Sequence, residues 1–332
     1  MKLISGPMAT ISHPAFRILI EKFGACDEYF TEMINAGTLL TGGQFEKYYI
    51  DPAPVPEKVV WQLTGHDAEH MEEAARVLCD LPGLGVDINM GCSAPDIYRY
   101  GAGIAWMLKA REETEEMVKR VGKVVIGKKR FSVKLRLGDD NFTDEQFFSF
   151  CDMLLSNGVE LLTLHPRTKK EKLTRPARYS YCQKLCERYP KIPVYLNGNV
   201  KDAASLKNAL ASAPDVKGVM ISRACVQKPW IFRELSSALE GGLSLEGEPA
   251  VEEKLSINMK DLALSYIDDV EKYQPPEFWK TRLQRFFTYF CQNFKFAHYA
   301  QTQFLNARDN ADLRARIEDF FTRCPDEVVR FI

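Results

Sequence analysis

No stretch of this sequence approaches the roughly 20 consecutive apolar residues that a membrane-spanning helix needs. The first residues also lack the apolar core of a secretory signal peptide, so we expect a cytoplasmic protein with no membrane partner. The formal net charge of −1 argues against a protein that coats nucleic acid indiscriminately. A chain of 332 residues is long enough for about two domains, and its 45% hydrophobic content is typical of a globular protein.

The nine cysteines include no CxxC pair. Cys182 and Cys186 lie four residues apart on one face of a predicted helix, but no His or second Cys pair accompanies them. We therefore predict no metal site. Reduced thiols, as in other cytosolic proteins, are the better interpretation.

Short β-branched or aliphatic runs alternate with amphipathic helical patterns through the first 240 residues. The eight predicted strands are Lys2–Ser5, Glu28–Thr31, Val59–Leu63, Val86–Asn89, Phe131–Leu135, Leu161–Leu164, Val194–Leu196 and Gly218–Ile221. The predicted helices are Ala15–Phe23, Ala68–Leu78, Glu112–Val121, Asp144–Leu155, Tyr179–Arg188, Ala203–Leu210 and Trp230–Leu239. This alternation indicates a parallel α/β sheet, and eight units favour a (β/α)8 TIM barrel. An open doubly wound sheet is the alternative, although no GxGxxG pattern follows the first strand.

The composition changes after the eighth unit. Glu240–Pro249 is rich in Gly, Ser and Glu, which predicts a linker, and no strand pattern appears beyond Val251. Helical periodicity returns in three segments: Lys254–Lys272, Trp279–Asn293 and Asp312–Thr322. We predict a catalytic barrel domain over residues 1–240 and a small all-helical C-terminal domain over residues 250–332.

Polar residues and glycines gather at the C-terminal ends of the predicted strands, where barrel enzymes have their active sites. The last two ends, Asn197-Gly198-Asn199 and Ser222-Arg223, have small residues that let backbone N–H groups converge on a phosphate. A plain tight turn would explain Asn197-Gly198-Asn199 alone. Taken with Ser222-Arg223, a phosphate-bearing cofactor is the better interpretation.

The run Asp87-Ile88-Asn89-Met90-Gly91-Cys92 presents a cysteine just past the end of the fourth strand. That position makes Cys92 a candidate catalytic residue. A buried core cysteine is the alternative, since free Cys is among the most buried residue types.

A basic segment follows the sixth strand. Between Arg167 and Arg178 the only acid is Glu171, and the basic residues are Arg167, Lys169, Lys170, Lys172, Arg175 and Arg178. On charge alone, a solvated loop is a better interpretation of this segment than a nucleic-acid contact.

In their order and spacing, the strand-end motifs resemble those of the tRNA-dihydrouridine synthases, flavoenzymes with an FMN-binding barrel and a helical tail. The stretches that carry the resemblance are Gly6-Pro7-Met8-Ala9, Thr31-Glu32-Met33, Gln62, Asp87-Ile88-Asn89-Met90-Gly91-Cys92, Gly101-Ala102-Gly103, Val133-Lys134-Leu135-Arg136, His165-Pro166-Arg167-Thr168, Asn197-Gly198-Asn199, Gly218-Val219-Met220-Ile221-Ser222-Arg223 and Pro229-Trp230. Each stretch is weak alone, but the ordered set is specific and spans nearly the whole barrel. The tail resembles the family only in its helical pattern and its position.

The resemblance implies an oxidoreductase that converts a uridine in tRNA to 5,6-dihydrouridine, with FMN as cofactor and NADPH or NADH as reductant. It implies cofactor contacts from Pro7, Met8, Ala9, Gln62, Lys134, His165, Asn197, Gly198, Asn199, Ser222 and Arg223. Lys134 would lie beside flavin N1 and O2, where a fixed cation favours the reduced state. From the residues alone, Lys134 could instead be a snorkelling surface lysine and His165 a core residue.

The resemblance makes Cys92 the proton donor of the reaction. Hydride delivery to C6 of uracil leaves C5 in need of a proton, and a thiol with an ordinary pKa of about 8.5 is mostly protonated near pH 7. Nucleophilic attack by Cys92 is the competing role, but it needs a base, and no His is adjacent in the sequence.

A uridine must leave its RNA fold to reach a cofactor in the barrel, so the flanking phosphates need cations. The residues predicted to contact tRNA are Asn89, Arg136, Arg167, Lys169, Arg175, Lys280, Arg282 and Arg285. Trp279 and Tyr289 lie among the last three, although a helical core explains these aromatics equally well. We expect a monomer.

Three departures from the family pattern stand out. Ser93 follows the motif cysteine where the family has Pro, and Ser222 stands where Gly is usual. Leu173-Thr174-Arg175-Pro176 replaces a segment where aromatic residues and Gly are common, which bears on the choice of uridine. Two rival functions stay open: an FMN-dependent reductase of a small enone or pyrimidine, and a catalytically silent FMN-containing RNA-binding protein.

Overall fold

The computed structural model describes residues 1–171, 174–241 and 255–332. Lys172 and Leu173 of the basic segment lie outside the described residues, as do residues 242–254, which include most of the predicted linker.

Parallel strands form a closed barrel. They are β1 (Lys2–Ser5), β2 (Glu28–Phe30), β3 (Ile34–Asn35), β4 (Val59–Thr64), β5 (Gly85–Met90), β6 (Arg130–Leu135), β7 (Leu161–Leu164), β8 (Val194–Asn197) and β9 (Gly218–Ile221). From β4 to β9 each strand pairs with the next, β9 pairs with β1, β1 with β2, and the β2–β4 pairing closes the ring, while the short β3 adds to the end of β4. The predicted TIM barrel is therefore confirmed, and the open sheet is excluded.

All eight predicted strands are present, with ends that differ by at most one residue. Their apolar runs are recognisable because barrel strands are buried on both faces. In β4 and β5, for example, every residue is buried.

Helices separate the barrel strands. They are α1 (Pro14–Glu21), α2 (Ala36–Thr41), α3 (Glu46–Tyr49), α4 (Ala68–Asp80), α5 (Pro95–Arg99), α6 (Arg111–Val125), α7 (Asp144–Ser156), α8 (Ser180–Arg188), α9 (Ala203–Ser212), α10 (Arg223–Gln227) and α11 (Ile231–Glu240). Side chains of Asp67, Thr143 and Asp202 accept N–H groups at the starts of α4, α7 and α9. Helices α2, α3, α5 and α10 are missing from the prediction because four to six residues are too few to show a helical period.

A buried carboxylate holds the N-terminal end of the barrel together. Glu28 accepts hydrogen bonds from both terminal nitrogens of Arg130, at 2.8 and 2.6 Å, from Lys2 at 2.7 Å and from the Tyr195 hydroxyl at 2.8 Å. Burial alone would raise the pKa of Glu28, but hydrogen bonds and charge from Arg130, with help from Lys2 and Tyr195, lower it on balance. These hydrogen bonds join β2 to β1, β6 and β8 at the end of the barrel opposite the candidate site.

The C-terminal region is mainly helical, with α12 (Met259–Tyr273), α13 (Pro276–Phe290), α14 (Ala297–Leu305) and α15 (Asn310–Arg323). The prediction of no strands beyond Val251 is wrong, because β10 (Ser256–Asn258) pairs antiparallel with β11 (Val329–Phe331). Three-residue strands are too short to show alternation. The helix predicted from Lys254 begins at Met259, since the Asn258 side chain caps it.

The helical region packs directly on the barrel, α12 against α1 and α13 against α10. Its own core is an aromatic cluster of Phe286, Phe287, Phe290, Phe294, Phe304, Phe320 and Phe321. The division into two domains near residues 240–250 stays a prediction. Across the described ranges, the helices are too short or too polar to cross a bilayer.

Candidate active site

A cavity of about 780 Å³ opens at the C-terminal ends of the barrel strands. Each strand that closes the barrel contributes to its lining, directly or through the residues that follow it; after β2 this residue is Met33. Helix α13 adds Arg285 and Tyr289 from the helical region, and the turn directly after it adds Gln292. The cavity therefore lies between the barrel mouth and the C-terminal helices.

The cavity brings together Cys92 and all the residues predicted to bind a cofactor: Pro7, Met8, Ala9, Gln62, Lys134, His165, Asn197, Gly198, Asn199, Ser222 and Arg223. Of the residues predicted to contact tRNA, Asn89, Arg136, Arg167 and Arg285 also line it. Their roles stay predictions, but their common location follows from the topology, since all but Arg285 stand at or just beyond strand ends.

A chain of hydrogen-bonded side chains runs along the floor of the cavity. The buried Asp87 accepts a hydrogen bond from Gln62 Nε2 at 2.8 Å, and Gln62 Oε1 accepts one from Asn89 Nδ2 at 2.8 Å. Asn89 Oδ1 in turn accepts the backbone N–H groups of Gly91 and Cys92, at 3.1 and 2.9 Å. This chain connects the barrel interior to the turn that presents Cys92.

The Cys92 turn is held from two further directions. Arg136 donates from Nε to the carbonyl of Gly91 at 2.9 Å and from Nη1 to the carbonyl of Thr168 at 3.1 Å. Gly103, at φ +63°, lies so close that a Cβ there would be 2.5 Å from the Cys92 carbonyl oxygen. The turn is therefore well anchored without the Pro that Ser93 replaces, and Cys92 stays partly exposed while seven of the other cysteines are buried.

Lys134 is a half-buried cation that lines the cavity together with Cys92. Burial, and secondarily Arg136, lowers the pKa of Lys134 to about 8, while Asp87 and Cys92 oppose this shift. Lys134 therefore stays mostly protonated near pH 7 and can balance negative charge in the cavity.

His165 is neutral and has one defined tautomer. Burial, and after it the cations Lys134 and Arg136, lower the pKa of His165 to about 2. Its Nε2 lies 2.8 Å from Arg167 Nη1, and because a guanidinium can only donate, Nε2 must accept and Nδ1 must hold the proton. Arg167 Nη2 is buried without a hydrogen-bond partner among the described residues, so a donor is left for a ligand.

The loops after β8 and β9 form a tight cradle. Gly198 has φ +126°, a conformation that favours glycine, and a Cβ there would approach His165 Cδ2 to 3.0 Å. Asn199 follows in the left-handed region, at φ +60°. Across the cradle, a Cβ on Gly6 would be 2.3 Å from Ser222 Oγ, so the lack of a side chain at Gly6 makes room for the serine that replaces the usual glycine.

The cavity is strongly electropositive. Its lining contains the cations Lys134, Arg136, Arg167, Lys201, Arg223 and Arg285. Within the described part of the chain, no carboxylate lines it. A cavity of this charge and volume, with a glycine cradle and an unused guanidinium donor, fits a phosphate-bearing cofactor such as FMN.

Comparison with known proteins agrees with this geometry. Residues 3–321 match the family described as Dihydrouridine synthase (Dus). The chain belongs to this family. It is 31% identical over 242 residues to a probable tRNA-dihydrouridine synthase of Aquifex aeolicus, covering 70% of this chain and 72% of that protein. It is 29% identical over 243 residues to tRNA-dihydrouridine synthase B of Pseudomonas syringae pv. tomato, covering 73% of this chain and 70% of that protein.

Family membership confirms the resemblance inferred from the strand-end motifs and identifies the protein as an enzyme of an oxidoreductase family. The matched region includes nearly the whole barrel, as the strand-end motifs predicted, and it also includes most of the helical tail, where the resemblance had been limited to helical pattern and position.

Four residues predicted to contact tRNA lie outside the lining of the Dus cavity. Arg282 is 2% exposed and forms an ion pair with Glu32 at 2.8 Å, so its assignment to RNA is corrected to a structural link between α13 and the barrel. Lys169 Nζ lies 3.4 Å from the centre of the Tyr98 ring, next to the Cys92 turn. The Arg175 carbonyl accepts a hydrogen bond from Arg167 Nε, and Lys280 is exposed on α13.

Several lining residues of the Dus cavity were missed by the sequence-based prediction, notably Lys201, Gln292 and Tyr289, the last of which was singled out only as an aromatic residue. A signal for these residues exists, because Arg285, Tyr289 and Gln292 have i, i+4, i+7 spacing within the predicted helix Trp279–Asn293, although α13 itself ends at Phe290. What the sequence does not show is which face of α13 meets the barrel mouth.

Proposed function

We propose that this protein reduces the C5–C6 double bond of a uridine in tRNA to 5,6-dihydrouridine, with FMN as its resident cofactor and NADPH or NADH as the reductant. The observation that carries the proposal is the position of Cys92, a partly exposed thiol at the edge of a cation-lined cavity in a dihydrouridine synthase barrel. The names of the curated relatives support tRNA as the substrate. A cytoplasmic location follows from that substrate.

The cavity residues fit FMN in two parts. Gly198, Asn199, Ser222 and Arg223 would hold the phosphate with small residues, backbone N–H groups and a guanidinium. Pro7, Met8, Ala9 and Gln62 would contact the ring system, and Lys134 would lie at its pyrimidine side. When bound, FMN supplies the hydride that reduces C6 of the uracil ring.

The chain itself supplies the proton and the electrostatic balance. Cys92 donates its thiol proton to C5 of the uracil from the face opposite the hydride. Lys134, protonated near pH 7, offsets the negative charge that a reduced flavin bears next to it. Arg136 holds the Gly91–Cys92 turn, so we propose that it positions the thiol in addition to any contact with the substrate.

Arg285 is the residue best placed to guide the extruded nucleotide. It extends from α13 into the cavity lining, next to Tyr289, with its guanidinium carbon 5.5 Å from the centre of that ring. Contact of Arg285 with a phosphate and stacking of a base on Tyr289 would hold a uridine at the entrance. Lys169, Arg175 and Lys280 would contact the flanking RNA.

Arg285→Ala is expected to raise the KM for tRNA about ten-fold, the size of one lost charge-assisted hydrogen bond. The dissociation constant of FMN should not change, because Arg285 is not among the residues proposed to bind FMN. Steady-state kinetics with transcribed tRNA, beside fluorescence titration of FMN, measure the two quantities. Lys207→Ala, an equal loss of charge on the exposed side of α9, is the matched control and should change neither. An unchanged KM in Arg285→Ala would remove α13 from the substrate path.

The proposed function is tested with purified protein, FMN, either NADPH or NADH, and tRNA transcribed without modifications. Digestion and mass spectrometry should show a nucleoside about 2 Da heavier than uridine, the mass of two added hydrogens. Sequencing of the product then locates the modified position. Reduction of a small enone or free pyrimidine, but not of tRNA, would instead support a related flavin reductase.

A further inference from the structure

The side chains below the Cys92 turn form a hydrogen-bond chain with fixed ends. At one end, the Asp87 carboxylate accepts from Gln62 Nε2 at 2.8 Å and from Ser132 Oγ at 2.7 Å. At the other end, Asn89 Oδ1 accepts the N–H groups of Gly91 and Cys92. Gln62 and Asn89 join the two ends through a single hydrogen bond of 2.8 Å.

Both ends impose the same direction on the chain. An ionised carboxylate can only accept, so Gln62 must turn its NH₂ group toward Asp87 and its oxygen toward Asn89. A backbone N–H can only donate, so Asn89 must turn its oxygen toward the Cys92 turn and its NH₂ group toward Gln62. A reversed chain would place the Gln62 oxygen against the Asp87 carboxylate and the Asn89 NH₂ group against two backbone N–H groups, which costs more than the loss of a hydrogen bond at the surface.

We propose that Asp87 is a positioning residue that sets the direction of the Gln62 and Asn89 amides and thereby fixes both the Cys92 turn and the hydrogen-bonding pattern of the cavity floor. The part of this inference that concerns ligands rests on the proposed function. Asp87 itself does not line the cavity, so it acts through the two amides.

The fixed direction decides what the floor offers to a ligand. After their bonds to each other and to Asp87, Gln62 retains one N–H and one oxygen lone pair, and Asn89 retains one N–H. Both residues line the cavity. Two donors and an acceptor complement an imide edge, in which an N–H lies between two carbonyls, and both the flavin pyrimidine and uracil have such an edge. Reversal of the Gln62 amide would exchange its donor and acceptor.

The environment of Asp87 keeps it ionised at neutral pH. Burial raises the pKa of Asp87 to about 6, whereas hydrogen bonds from Gln62 on β4 and Ser132 on β6 oppose the rise. Lys134 and Arg130, both on β6, are the cations that act on it. The carboxylate thus has hydrogen bonds from neutral groups only, which suits a fixed acceptor better than a proton donor.

Two variants test the direction of the chain. In Asp87→Asn the side chain at this end can donate or accept, so only the backbone N–H groups of Gly91 and Cys92 still fix the direction of the amides. In the double variant Asp87→Asn/Gln62→Glu, the carboxylate, which can only accept hydrogen bonds, moves from position 87 to position 62. The introduced carboxylate then again forces Asn89 to turn its NH₂ group inward, but it has no N–H to offer to a ligand.

The first readout is hydrogen exchange of the peptide that contains Gly91 and Cys92, measured without FMN. Exchange in Asp87→Asn is expected to be roughly ten-fold faster than in the unmodified protein, and the double variant should restore slow exchange. The second readout is the FMN dissociation constant. It should rise about ten-fold in Asp87→Asn and stay raised in the double variant, because a donor to the ring is missing.

Ser132→Ala is the matched control, since it removes a bond to Asp87 but leaves an acceptor-only carboxylate; both readouts should stay within two-fold of the unmodified protein. The proposal is overturned if Asp87→Asn matches the unmodified protein in both readouts, or if the double variant exchanges as fast as Asp87→Asn. Should Asp87→Asn not fold, rapid exchange in the double variant relative to the unmodified protein also overturns it. Hydrogen exchange needs neither FMN nor turnover. A failure of this proposal can therefore be distinguished from a failure of the proposed function.

Discussion

Cys92→Ala is expected to lower the rate of dihydrouridine formation by about 100- to 10,000-fold, the usual contribution of a positioned general acid. In the proposed function this thiol protonates C5, and its turn is held by Asn89 and Arg136. FMN binding and reduction of the flavin by NADPH should be retained, because neither needs a proton donor at C5. Rapid mixing with tRNA, with flavin absorbance and nucleoside mass spectrometry as readouts, separates these steps.

Cys324→Ala is the control for Cys92→Ala, since Cys324 is the other partly exposed cysteine and lies in the helical region. It should leave the rate unchanged. If Cys92→Ala retained the rate of the unmodified protein, Cys92 would not be the proton donor. If Cys92→Ala failed to bind FMN, the loss of activity would be a structural effect. It would then not support Cys92 as the proton donor.

Glu28→Gln is expected to lower the free energy of unfolding by about 3 kcal/mol, because it leaves the half-buried Arg130 guanidinium without a countercharge. Glu28 is 0% exposed and joins β2 to β1, β6 and β8 at the end of the barrel away from the cavity. Urea denaturation followed by circular dichroism measures the change. Asp319→Asn removes a carboxylate from an exposed pair with Arg323 and should cost less than about 1 kcal/mol.

The Glu28 carboxylate should also make the stability of the folded protein depend on pH. The pKa of Glu28 is lower in the folded than in the unfolded protein, so its contribution to stability is fully present above the unfolded value, about 4.3, and is lost as the pH falls through the folded value. The unmodified protein should therefore lose more stability than Glu28→Gln on acidification below about pH 4. Equal losses in the two proteins, or equal stabilities at pH 7, would contradict the structural role of this carboxylate.

The fold was predictable because strands and helices of the barrel have long, regular patterns. β7 and β9, for instance, are short, mostly apolar runs between helices, and barrel strands buried on both faces keep such runs intact. Short elements such as α3 and β10 were not predictable, since their form depends on tertiary contacts. The antiparallel β10–β11 pair joins segments about 70 residues apart, and no local signal anticipates that pairing.

The candidate site was predictable as far as it depends on barrel topology. Residues at strand ends meet at one mouth, so Gln62, Cys92 and Lys134 could be grouped without coordinates. The hydrogen-bond or ion-pair partner of each side chain could not be predicted. Arg282 and Arg285 are both arginines on α13, yet Arg282 pairs with Glu32 inside the protein and Arg285 reaches the cavity. Which face of a helix meets the barrel is decided by packing, and the charge pattern alone does not show it.

The central claim is that this cavity passes reducing equivalents to a uridine of tRNA. Its most direct test is a single turnover: FMN-loaded protein, reduced chemically under anaerobic conditions, is mixed with unmodified tRNA while flavin absorbance is followed. We expect the unmodified tRNA to reoxidise the flavin, with one dihydrouridine formed for each flavin reoxidised. Transfer RNA that already carries dihydrouridine should reoxidise the flavin far more slowly. If the protein binds both FMN and unmodified tRNA but the reduced flavin persists, the proposed function is wrong.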